Sequence, residues 1–320
     1  MKKIFVSGLG DGSHVDDIFL LTSKTMARKK DGNPFLRLVL SDRTGTVDAV
    51  VWDNAEQINA RISEGTFVHV IGNVSLYRGN PQLTLTSVEQ CDRDSVDASD
   101  FLPVTKGDVN SMFRRVLAIT RTIESRDLKS LLELFWNDDD FVENRFKRAP
   151  AAKLMHHAYL GGLLEHTLAV AELAALVADH YGEIIDRDML LAGAILHDIG
   201  KTREFVYDVT IDYSDEGRLL NHMVIGIMMI EERIAGLKAF PEERANLLKH
   251  LVASHHGTRE FGAVEPPKTL EALVLNHVDE IDSKVTGIRA FMEGHDPGSR
   301  WTSYHRPMER FFYMGGMKRE

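Results

Sequence analysis

The chain has 320 residues and a mass of 36.0 kDa, with 43% hydrophobic and 27% charged residues. This is the composition of an ordinary globular protein, so it excludes wholesale disorder and a collagen-like fibre. The 38 basic and 48 acidic residues give a net charge of −10, whereas a protein that coats a polyanion is normally basic. Any nucleic acid is therefore expected to be held locally or through bound metal.

Three further features indicate a cytoplasmic protein that does not enter a membrane. No apolar run approaches the roughly 20 residues that cross a bilayer, because even Leu168–Ala178 is interrupted by Glu172. The apolar stretch near the N-terminus is too short for a signal peptide. The single cysteine, Cys91, makes neither an internal disulfide nor a thiolate cage, so a reducing cytoplasm fits best.

Residues 1 to 92 predict a small β-barrel, because strand-like runs alternate with regularly spaced turn signals. The predicted strands are Val15–Ala27, Pro34–Leu40, Thr46–Trp52, Thr66–Leu76 and Gln82–Gln90. A short helix over Ala55–Ile62 is expected before the fourth strand. Five strands with a helix in that place follow the order of an OB barrel, whose second and third strands often bind oligonucleotides.

The rest of the chain predicts helices. Residues 93–150 are expected to form a connector and helical linker, 151–300 a helical bundle, and 301–320 an aromatic and basic tail. The helical spacing of apolar residues predicts helices at Val109–Trp136, Leu154–Tyr181, Asp188–Ile199, Leu219–Leu237, Pro241–His255 and Thr269–Phe291. The predicted fold class is therefore multidomain, with an N-terminal all-β OB-like barrel followed by an all-α helical bundle.

The 14 histidines are the unusual number in the composition, and several fall in one ordered series with aspartates. The members of this series are His166, His197 with Asp198, His222, His255 with His256, and Asp279. Its segments are separated by roughly 23 to 33 residues, about one helix and a connection, so all are able to point into one bundle core. Imidazole and carboxylate together suit first-row divalent ions such as Mn, Fe, Co, Ni or Zn.

Adjacent His197 and Asp198 are the sharpest indication of two metals. Neighbours on a helix point about 100° apart, so they share a target only near a helix end or across two ions. Gly200 is expected to end the helix. Asp198 has two oxygens with which to bridge a metal pair, and such a pair activates water and clamps a phosphoryl group. Lys201 follows, placed to neutralise a phosphate oxygen, so Asp198 and Lys201 are the predicted catalytic residues.

In this order, His…His-Asp…His…His-His…Asp, the series resembles the HD-domain superfamily of metal-dependent phosphohydrolases in its five-histidine, two-metal form. The resemblance gives Asp279 the terminal aspartate position, with Asp282 as the alternative, and leaves open whether His255, His256 or both bind metal. One subgroup, which acts on cyclic di-GMP, carries Gly-Tyr-Pro after its His-His pair. Gly-Thr-Arg follows here, which argues against that activity. Weaker candidates for supporting or acid–base contacts are Glu165, Glu204 and Glu216.

An OB barrel followed by an HD domain is similar to the YhaM family of 3′→5′ exoribonucleases. The supporting stretches are His156–Thr167, His197–Thr202 and Asp215–His222. The resemblance implies hydrolytic removal of nucleotides from the 3′ end of single-stranded RNA, with single-stranded DNA left open as a second substrate. It also implies a divalent cofactor, two ions with Mn favoured over Fe, Co, Ni or Zn. A homo-oligomer is compatible with the sequence.

The expected nucleic-acid contacts are aromatic and basic side chains, because single strands bind by base stacking and by a cationic groove along the backbone. These candidates are Phe35, Arg37, Trp52, Tyr77, Arg78 and Arg148. Strand alternation places Phe35 and Arg37 on the face opposite the intervening leucines. Arg148 belongs to a basic segment, Arg145–Lys153, that runs toward His156. This segment is interpreted as a track to the metal site, with a solvated surface stretch as an equal alternative. For each aromatic residue, core packing is an equal alternative.

Two other functions are compatible with these residues. The same site is able to act on free nucleotides or cyclic dinucleotides as a phosphodiesterase, with the barrel as a regulatory module. Alternatively, the chain is a non-catalytic single-strand-binding adaptor whose helical bundle is a scaffold. Unpaired imidazoles converging in a core cost several kcal/mol in desolvation, which favours an enzyme over the adaptor.

Overall fold

The protein is described from a computed structural model, which covers residues 2–29, 31–77, 79–93, 96–153, 157–296 and 298–315. The chain divides into two compact units. The first comprises Met1–Val104 with Tyr207–Ile211, and the second comprises Thr105–Val206 with Asp212–Glu320. The domain boundaries expected from the sequence, after residues 92, 150 and 300, stay predictions.

The first unit is a closed five-stranded barrel. Its strands are β1 (His14–Arg28), β2 (Pro34–Asp42), β3 (Gly45–Val51), β4 (Thr66–Tyr77) and β5 (Asn80–Gln90). They follow the order β1-β2-β3-β5-β4, in which β3 and β5 run parallel and the other described pairs run antiparallel. Helix α1 (Ala55–Arg61) lies between β3 and β4 in the chain. The predicted OB-like barrel is confirmed, with every predicted strand in its place.

Alternation along the strands builds the barrel interior. On β2, Leu36, Leu38 and Leu40 are buried, whereas Arg37 is exposed and Phe35 is half-buried. Because successive side chains of a strand point to opposite faces, the leucines fill the interior and the other two residues face outward. The outward face expected for Phe35 and Arg37 is therefore the one observed.

The second unit is built from helices. They are α2 (Val109–Arg121), α3 (Arg126–Trp136), α4 (Gly162–Tyr181), α5 (Arg187–Leu196), α6 (Lys201–Glu204), α7 (Asp215–Ile234), α8 (Glu242–Ser254) and α9 (Leu270–Glu293). Helix α4 packs against α2, α5 and α9, and its residues Leu163, Leu164, Val170 and Ala171 are fully buried. This central helix therefore places its first turns in the interior of the bundle. Within the described residues, no helix has both the length and the apolar character needed to cross a membrane.

The single helix predicted over Val109–Trp136 is wrong, because the structure divides it into α2 and α3. At the break, the backbone N–H groups of Glu124 and Ser125 both donate to Asp188 Oδ2, at 2.9 and 2.7 Å. These amides find a side-chain acceptor far away in sequence, so the chain turns here without leaving them unpaired.

The prediction that the chain stays helical to its end is also wrong. Two short strands, β6 (Phe205–Tyr207) and β7 (Ile211–Tyr213), pair with each other before α7. After α9, the described residues form loops, isolated bridges and a short 3-10 helix. Helix α4 begins at Gly162 rather than at Leu154, which lies outside the described residues.

Candidate metal centre

Separate segments of the second unit bring imidazole and carboxylate side chains into one buried cluster. They are His166 near the start of α4, His197 and Asp198 after α5, His222 within α7, His255 and His256 after α8, and Asp279 within α9. The side chains of His166, His197 and His255 are fully buried, and Asp198 is 1% exposed. The structure thus brings together all seven residues that the sequence nominates as metal ligands.

The first half of the cluster, the His166 group, consists of His166, His197, Asp279 and Oδ2 of Asp198. His166 Nε2 lies 3.2 Å from His197 Nε2, 3.3 Å from Asp198 Oδ2 and 3.1 Å from Asp279 Oδ1. His197 Nε2 lies 3.4 Å from Asp198 Oδ2. Ligand atoms that are about 2.1 Å from one ion lie roughly 3.0–3.5 Å from one another. These four distances have that spacing, and His197 Nε2 lies somewhat farther from Asp279 Oδ1, at 4.0 Å.

The second half, the His222 group, consists of His222, His255, His256 and Oδ1 of Asp198. Asp198 Oδ1 lies 3.5 Å from both His222 Nε2 and His255 Nε2. Ring nitrogens of the three histidines all lie within 4.8 Å of one another. Among the described residues, no hydrogen bond reaches Asp198 Oδ1, His222 Nε2 or His255 Nε2, although all three atoms are buried. Because a buried polar atom without a partner costs about 1–3 kcal/mol, three such atoms facing one another indicate a ligand site.

Backbone carbonyls set the tautomers of two of these imidazoles. Nδ1 of His197 lies 2.8 Å from the carbonyl oxygen of Ala194, and Nδ1 of His255 lies 2.7 Å from that of Val252. Since a carbonyl oxygen only accepts, each Nδ1 must carry the proton, which leaves a lone pair on Nε2 of the neutral ring. Both lone pairs face the cluster, as cation binding requires.

A backbone distortion in α7 presents His222 to the cluster. Asn221 has φ 67° and ψ 152°, a conformation that glycine adopts readily and that strains other residues. At this kink, Glu204 Oε1 accepts the backbone N–H of His222 at 3.0 Å and its Nδ1–H at 3.1 Å. Glu204, which the sequence indicated only weakly, therefore holds His222 at two points and directs its Nε2 toward Asp198.

The backbone beside this kink also explains why residue 200, two positions after Asp198, is a glycine. The sequence expected Gly200 to end the helix, but α5 already ends at Leu196, and Gly200, with φ −63°, directly precedes α6. A Cβ atom on Gly200 would lie 1.9 Å from the carbonyl oxygen of His222 and 2.7 Å from the amide nitrogen of Gly226. Glycine is required here because two backbone segments pass in direct contact.

The second aspartate of α9, Asp282, contacts His166 from the side opposite the cluster. Asp282 Oδ2 lies 2.7 Å from His166 Nδ1 and 3.0 Å from Nε2 of His157, a residue that the sequence did not identify as part of the site. Asp279 contacts the other ring nitrogen, so the two acids lie on opposite sides of one imidazole. Burial raises the pKa of Asp282, but hydrogen bonds from His157 and His166 hold it well below its usual range. An ionised carboxylate in this position fixes the ring and increases its basicity.

Lys201 contacts the cluster directly. Its Nζ donates to Asp198 Oδ2 at 2.6 Å. Burial alone lowers the pKa of Lys201, but the negative charge of Asp198 raises it overall. Burial alone raises the pKa of Asp198, but the positive charge of Lys201 holds it well below its usual range. The pair is therefore ionic, and Asp198 keeps the negative charge that suits a metal ligand.

A cavity of about 710 Å³ opens beside the cluster. Lys201, His222, His256 and Asp279 line it, together with aromatic and basic side chains. Ligand pockets usually have about 300–1,000 Å³, so this volume suits a small ligand such as one nucleotide. Buried imidazoles and carboxylates are also the donors that first-row divalent ions prefer, so the cluster fits such ions.

Both units match known families. Residues 21–90 match the family described as OB-fold nucleic acid binding domain, and residues 163–284 match the HD domain family. The protein named 3′-5′ exoribonuclease YhaM of Bacillus subtilis strain 168 is 32% identical over 303 residues, which cover 94% of this chain and 95% of that protein. The Listeria monocytogenes protein of the same name is 32% identical over 292 residues, 90% of each chain. The chain belongs to the YhaM family.

Membership of the YhaM family confirms the resemblance found in the sequence, including an HD hydrolase domain after an OB-fold domain. Among solved structures, the second OB-fold domain of replication protein A from Methanococcus maripaludis covers 28% of this chain and 94% of its own. Its 17% identity and TM-score of 0.24 are too low to bear on function.

Two nucleic-acid contacts predicted for this YhaM-family barrel lie side by side. The rings of Phe35 and Trp52 stack, with centroids 4.8 Å apart and 27° between their planes. Lys29 Nζ lies 5.3 Å from the centre of the Trp52 ring, and Arg37 is exposed on the same strand as Phe35. Trp52 remains 41% exposed. The barrel therefore offers an open aromatic surface with a cation beside it.

The remaining predicted contacts are dispersed. Tyr77 is 55% exposed at the end of β4, and the adjacent Arg78 lies outside the described residues. Arg148 is half-buried, and its carbonyl oxygen accepts the N–H of Gly161 at 3.1 Å. Lys153 is the residue of the predicted basic segment, Arg145–Lys153, that is found among the described residues lining the cavity. A track toward the cluster is therefore better supported for Lys153 than for Arg148.

Proposed function

We propose that the protein is a metal-dependent 3′→5′ exoribonuclease that hydrolyses the terminal phosphodiester of single-stranded RNA. The observation that carries the proposal is the trio of buried atoms without partners among the described residues: Asp198 Oδ1, His222 Nε2 and His255 Nε2. They lie beside an open cavity in an HD domain, and the relatives covering nearly the whole chain are named 3′-5′ exoribonuclease. A buried cation-binding cluster beside a nucleotide-sized space suits phosphodiester hydrolysis.

We assign the metal ligands to two ions that share Asp198. Oδ2 of Asp198 would serve the first ion with the other members of the His166 group, and Oδ1 would serve the second with the His222 group. The proximity of the three ring nitrogens in the His222 group supports ligation by both His255 and His256. Mn is the proposed metal, with Fe, Co, Ni and Zn accepted by the same donors.

The protein's own residues would orient the substrate and balance its charge. Bound divalent ions supply an activated water nucleophile and offset the negative charge of the phosphoryl oxygens. Lys201 would keep Asp198 ionised, and because it also lines the cavity it would offset the charge of a phosphate oxygen bound there. Glu204 and Asp282 hold the rings of His222 and His166 in the orientation that faces the ions.

The barrel would hold the RNA strand upstream of the cleaved end. The stacked Phe35 and Trp52 rings would accept a base, and Lys29 and Arg37 would contact the phosphates. Tyr77 offers a further exposed ring. Base stacking works with any base, so this surface suits an enzyme that degrades RNA without sequence preference.

The decisive experiment incubates 5′-labelled single-stranded RNA with the full chain and Mn²⁺. We expect a ladder of shortened products that EDTA abolishes. Asp198→Ala should lower the rate about 1,000-fold and remove the bound metal, since metal-ion catalysis contributes several kcal/mol. Asp198→Asn, which can still hydrogen-bond to Lys201, should do the same if the alanine variant does not fold.

The matched control is Asp179→Ala, which removes an exposed carboxylate of α4 that pairs with Arg187 at 3.1 Å. It should retain the wild-type ladder and metal content. The absence of a ladder from the wild type, or equal ladders from wild type and Asp198→Asn, would contradict the proposal. A DNA oligomer of the same sequence measures the dependence on the 2′-hydroxyl.

The two alternative functions give different results in the same assay. Turnover of free nucleotides or cyclic dinucleotides without any shortening of RNA would assign the site to small molecules. RNA binding that survives EDTA, in a protein that contains no metal and has no turnover, would indicate an adaptor. We also propose a cytoplasmic location, since one cysteine among 320 residues fits a reducing compartment, and cell fractionation tests it.

A further inference from the structure

One wall of the cavity beside the histidine and aspartate cluster is formed by an aromatic ring that packs against a second, largely buried ring. Tyr213, on β7, is 38% exposed and lines the cavity. Its ring packs against Phe205 of β6, with centroids 5.2 Å apart, and Phe205 is 6% exposed. The tyrosine is therefore held in place from the protein side and remains accessible from the cavity.

Two cations flank this ring. Lys153 Nζ and Arg218 Cζ each lie 5.8 Å from the centre of the Tyr213 ring, and both residues line the cavity. Both also bind one oxygen, Asp212 Oδ1, at 2.8 and 2.9 Å. The hydrogen bond from Lys153 lowers the pKa of Asp212, so the carboxylate stays ionised. One negative charge offsets two positive charges, and the wall keeps a net charge of about +1 that favours an anion.

The same cavity contains residues of the metal cluster. Lys201, His222, His256 and Asp279 line it together with Tyr213. The cavity of about 710 Å³ therefore combines three features that suit the end of an RNA strand. The aromatic face suits a base, the two cations suit a phosphate, and the histidine and aspartate cluster suits the phosphodiester to be cleaved.

We propose that Tyr213 stacks on the base of the 3′-terminal nucleotide, while Lys153 and Arg218 bind the phosphate backbone beside it. This inference rests on the proposed exonuclease activity, which requires the last nucleotide to lie next to the metal cluster. All four bases stack on a tyrosine ring, so the subsite would bind any base without distinguishing its identity. Phe205 is a positioning residue, because its largely buried ring packs against the ring of Tyr213.

The test combines protein variants with RNA that lacks a single base. Three substrates are used with the full chain and Mn²⁺: intact RNA, RNA with an abasic 3′-terminal nucleotide, and RNA with an abasic penultimate nucleotide. We expect Tyr213→Ala to lower kcat/KM on intact RNA by roughly 5- to 150-fold, the range that base–aromatic stacking spans. The terminal abasic RNA should lower the wild-type value similarly, and Tyr213→Ala should cause no further loss on it.

Matched variants separate stacking from a structural effect. Tyr213→Phe keeps the ring and should retain wild-type kinetics on every substrate. Tyr181→Ala removes another exposed tyrosine, 50% exposed at the end of α4 and outside the cavity lining, and should also be neutral. Tyr213→Leu replaces the alanine variant if the latter does not fold, since leucine keeps apolar contact with Phe205.

A binding measurement without turnover distinguishes this inference from the proposed function. RNA with 2-aminopurine at its 3′ end is titrated with the protein in EDTA, where stacking quenches the fluorescence. Quenching by the wild type and by Tyr213→Phe, but not by Tyr213→Ala, would support the subsite even if no RNA were cleaved. Three results would overturn the inference while leaving exonuclease activity intact. The first is equal quenching by Tyr213→Ala, and the second is that the losses from Tyr213→Ala and from the terminal abasic nucleotide add. The third is that the effect of Tyr213→Ala disappears with the penultimate abasic RNA instead.

Discussion

Both units bury acidic side chains, yet the surroundings of these acids differ. In the barrel, Asp17 is 7% exposed, and its Oδ2 accepts the backbone N–H groups of Lys3 and Ile4, both at 2.7 Å. Its other oxygen accepts the N–H of Ile18 at 2.8 Å. In the helical unit, Asp198 is 1% exposed, and its Oδ1 has no hydrogen bond from any described residue.

This difference separates a structural acid from a functional one. The hydrogen bonds to Asp17 fix the N-terminal segment on β1 and provide a partner for both of its carboxylate oxygens. Asp198 Oδ1 instead faces two imidazole nitrogens that also lack partners among the described residues. Burial and charge are common to both acids, so the unfilled hydrogen-bonding capacity is the property that marks the site.

The largest expected effect is that of metal on the helical unit. Each ion bound at 100 times its dissociation constant stabilises the folded state by about 2.7 kcal/mol, because only the folded state assembles the ligand atoms. Hydrogen exchange in Mn²⁺ should therefore be slower than in EDTA for peptides of α4, α5, α7, α8 and α9, and unchanged for β1–β5. Asp198→Ala protein is the control and should show no difference. Equal protection of both units, or none in either, would contradict the comparison.

The next effect concerns the residue that directs His222. Glu204→Gln keeps the shape of the side chain but removes the charge that holds the backbone N–H and Nδ1–H of His222. We expect metal affinity, measured by calorimetry, to fall by roughly 10- to 100-fold, as it does when supporting carboxylates of metal ligands are changed.

Glu216→Gln is the matched control for this variant. Glu216 binds Arg203 at 2.7 Å and does not contact the cluster, so its loss should leave metal affinity unchanged. If both variants bind metal as the wild type does, Glu204 does not position His222.

A smaller effect is expected for the structural acid of the barrel. Asp17→Ala leaves the N–H groups of Lys3, Ile4 and Ile18 without their acceptor, and should lower the free energy of unfolding by about 2 kcal/mol. Its activity per folded molecule should be that of the wild type. The neighbouring Asp16→Ala removes an exposed carboxylate paired with His69, and should change stability by less than about 1 kcal/mol. Urea denaturation of both variants, compared with their RNA turnover, checks the pair.

The sequence predicts features that depend on local pattern. Alternation on β2 identified the inward leucines, and the order of histidines and aspartates nominated seven residues that the structure brings into one cluster. Their role as metal ligands stays a prediction. The sequence also placed Asp279 ahead of Asp282, and the structure puts Asp279 against the nitrogen of His166 that faces the cluster.

Features that depend on contacts between distant segments were not predictable. The kink at Asn221 arises where Gly200 and the backbone of His222 touch, and Leu-Leu-Asn-His in a helical pattern carries no sign of it. The break between α2 and α3 likewise depends on Asp188, which is more than sixty residues away. The strands around Asp212 did carry a signal, since β-branched and aromatic residues alternate there, but each strand is only three residues long.

The smallest expected effect tests the aromatic surface of the barrel. Trp52→Ala removes an exposed ring that Phe35 already covers on one side, so we expect RNA affinity to fall by roughly 5-fold, the lower end for base stacking. Trp301→Ala, which removes a ring 55% exposed in the C-terminal segment, is the matched control and should bind RNA as the wild type does.

The salt dependence of binding identifies the kind of contact that Trp52 makes. Stacking releases no counterions, so Trp52→Ala should weaken binding equally at all salt concentrations, whereas Lys29→Ala should reduce the slope of log K against log salt. A changed slope for Trp52→Ala would mean that the ring acts by holding Lys29 in place. Unchanged affinity in both variants would remove this face of the barrel from the RNA path, while the metal centre of the helical unit would be unaffected.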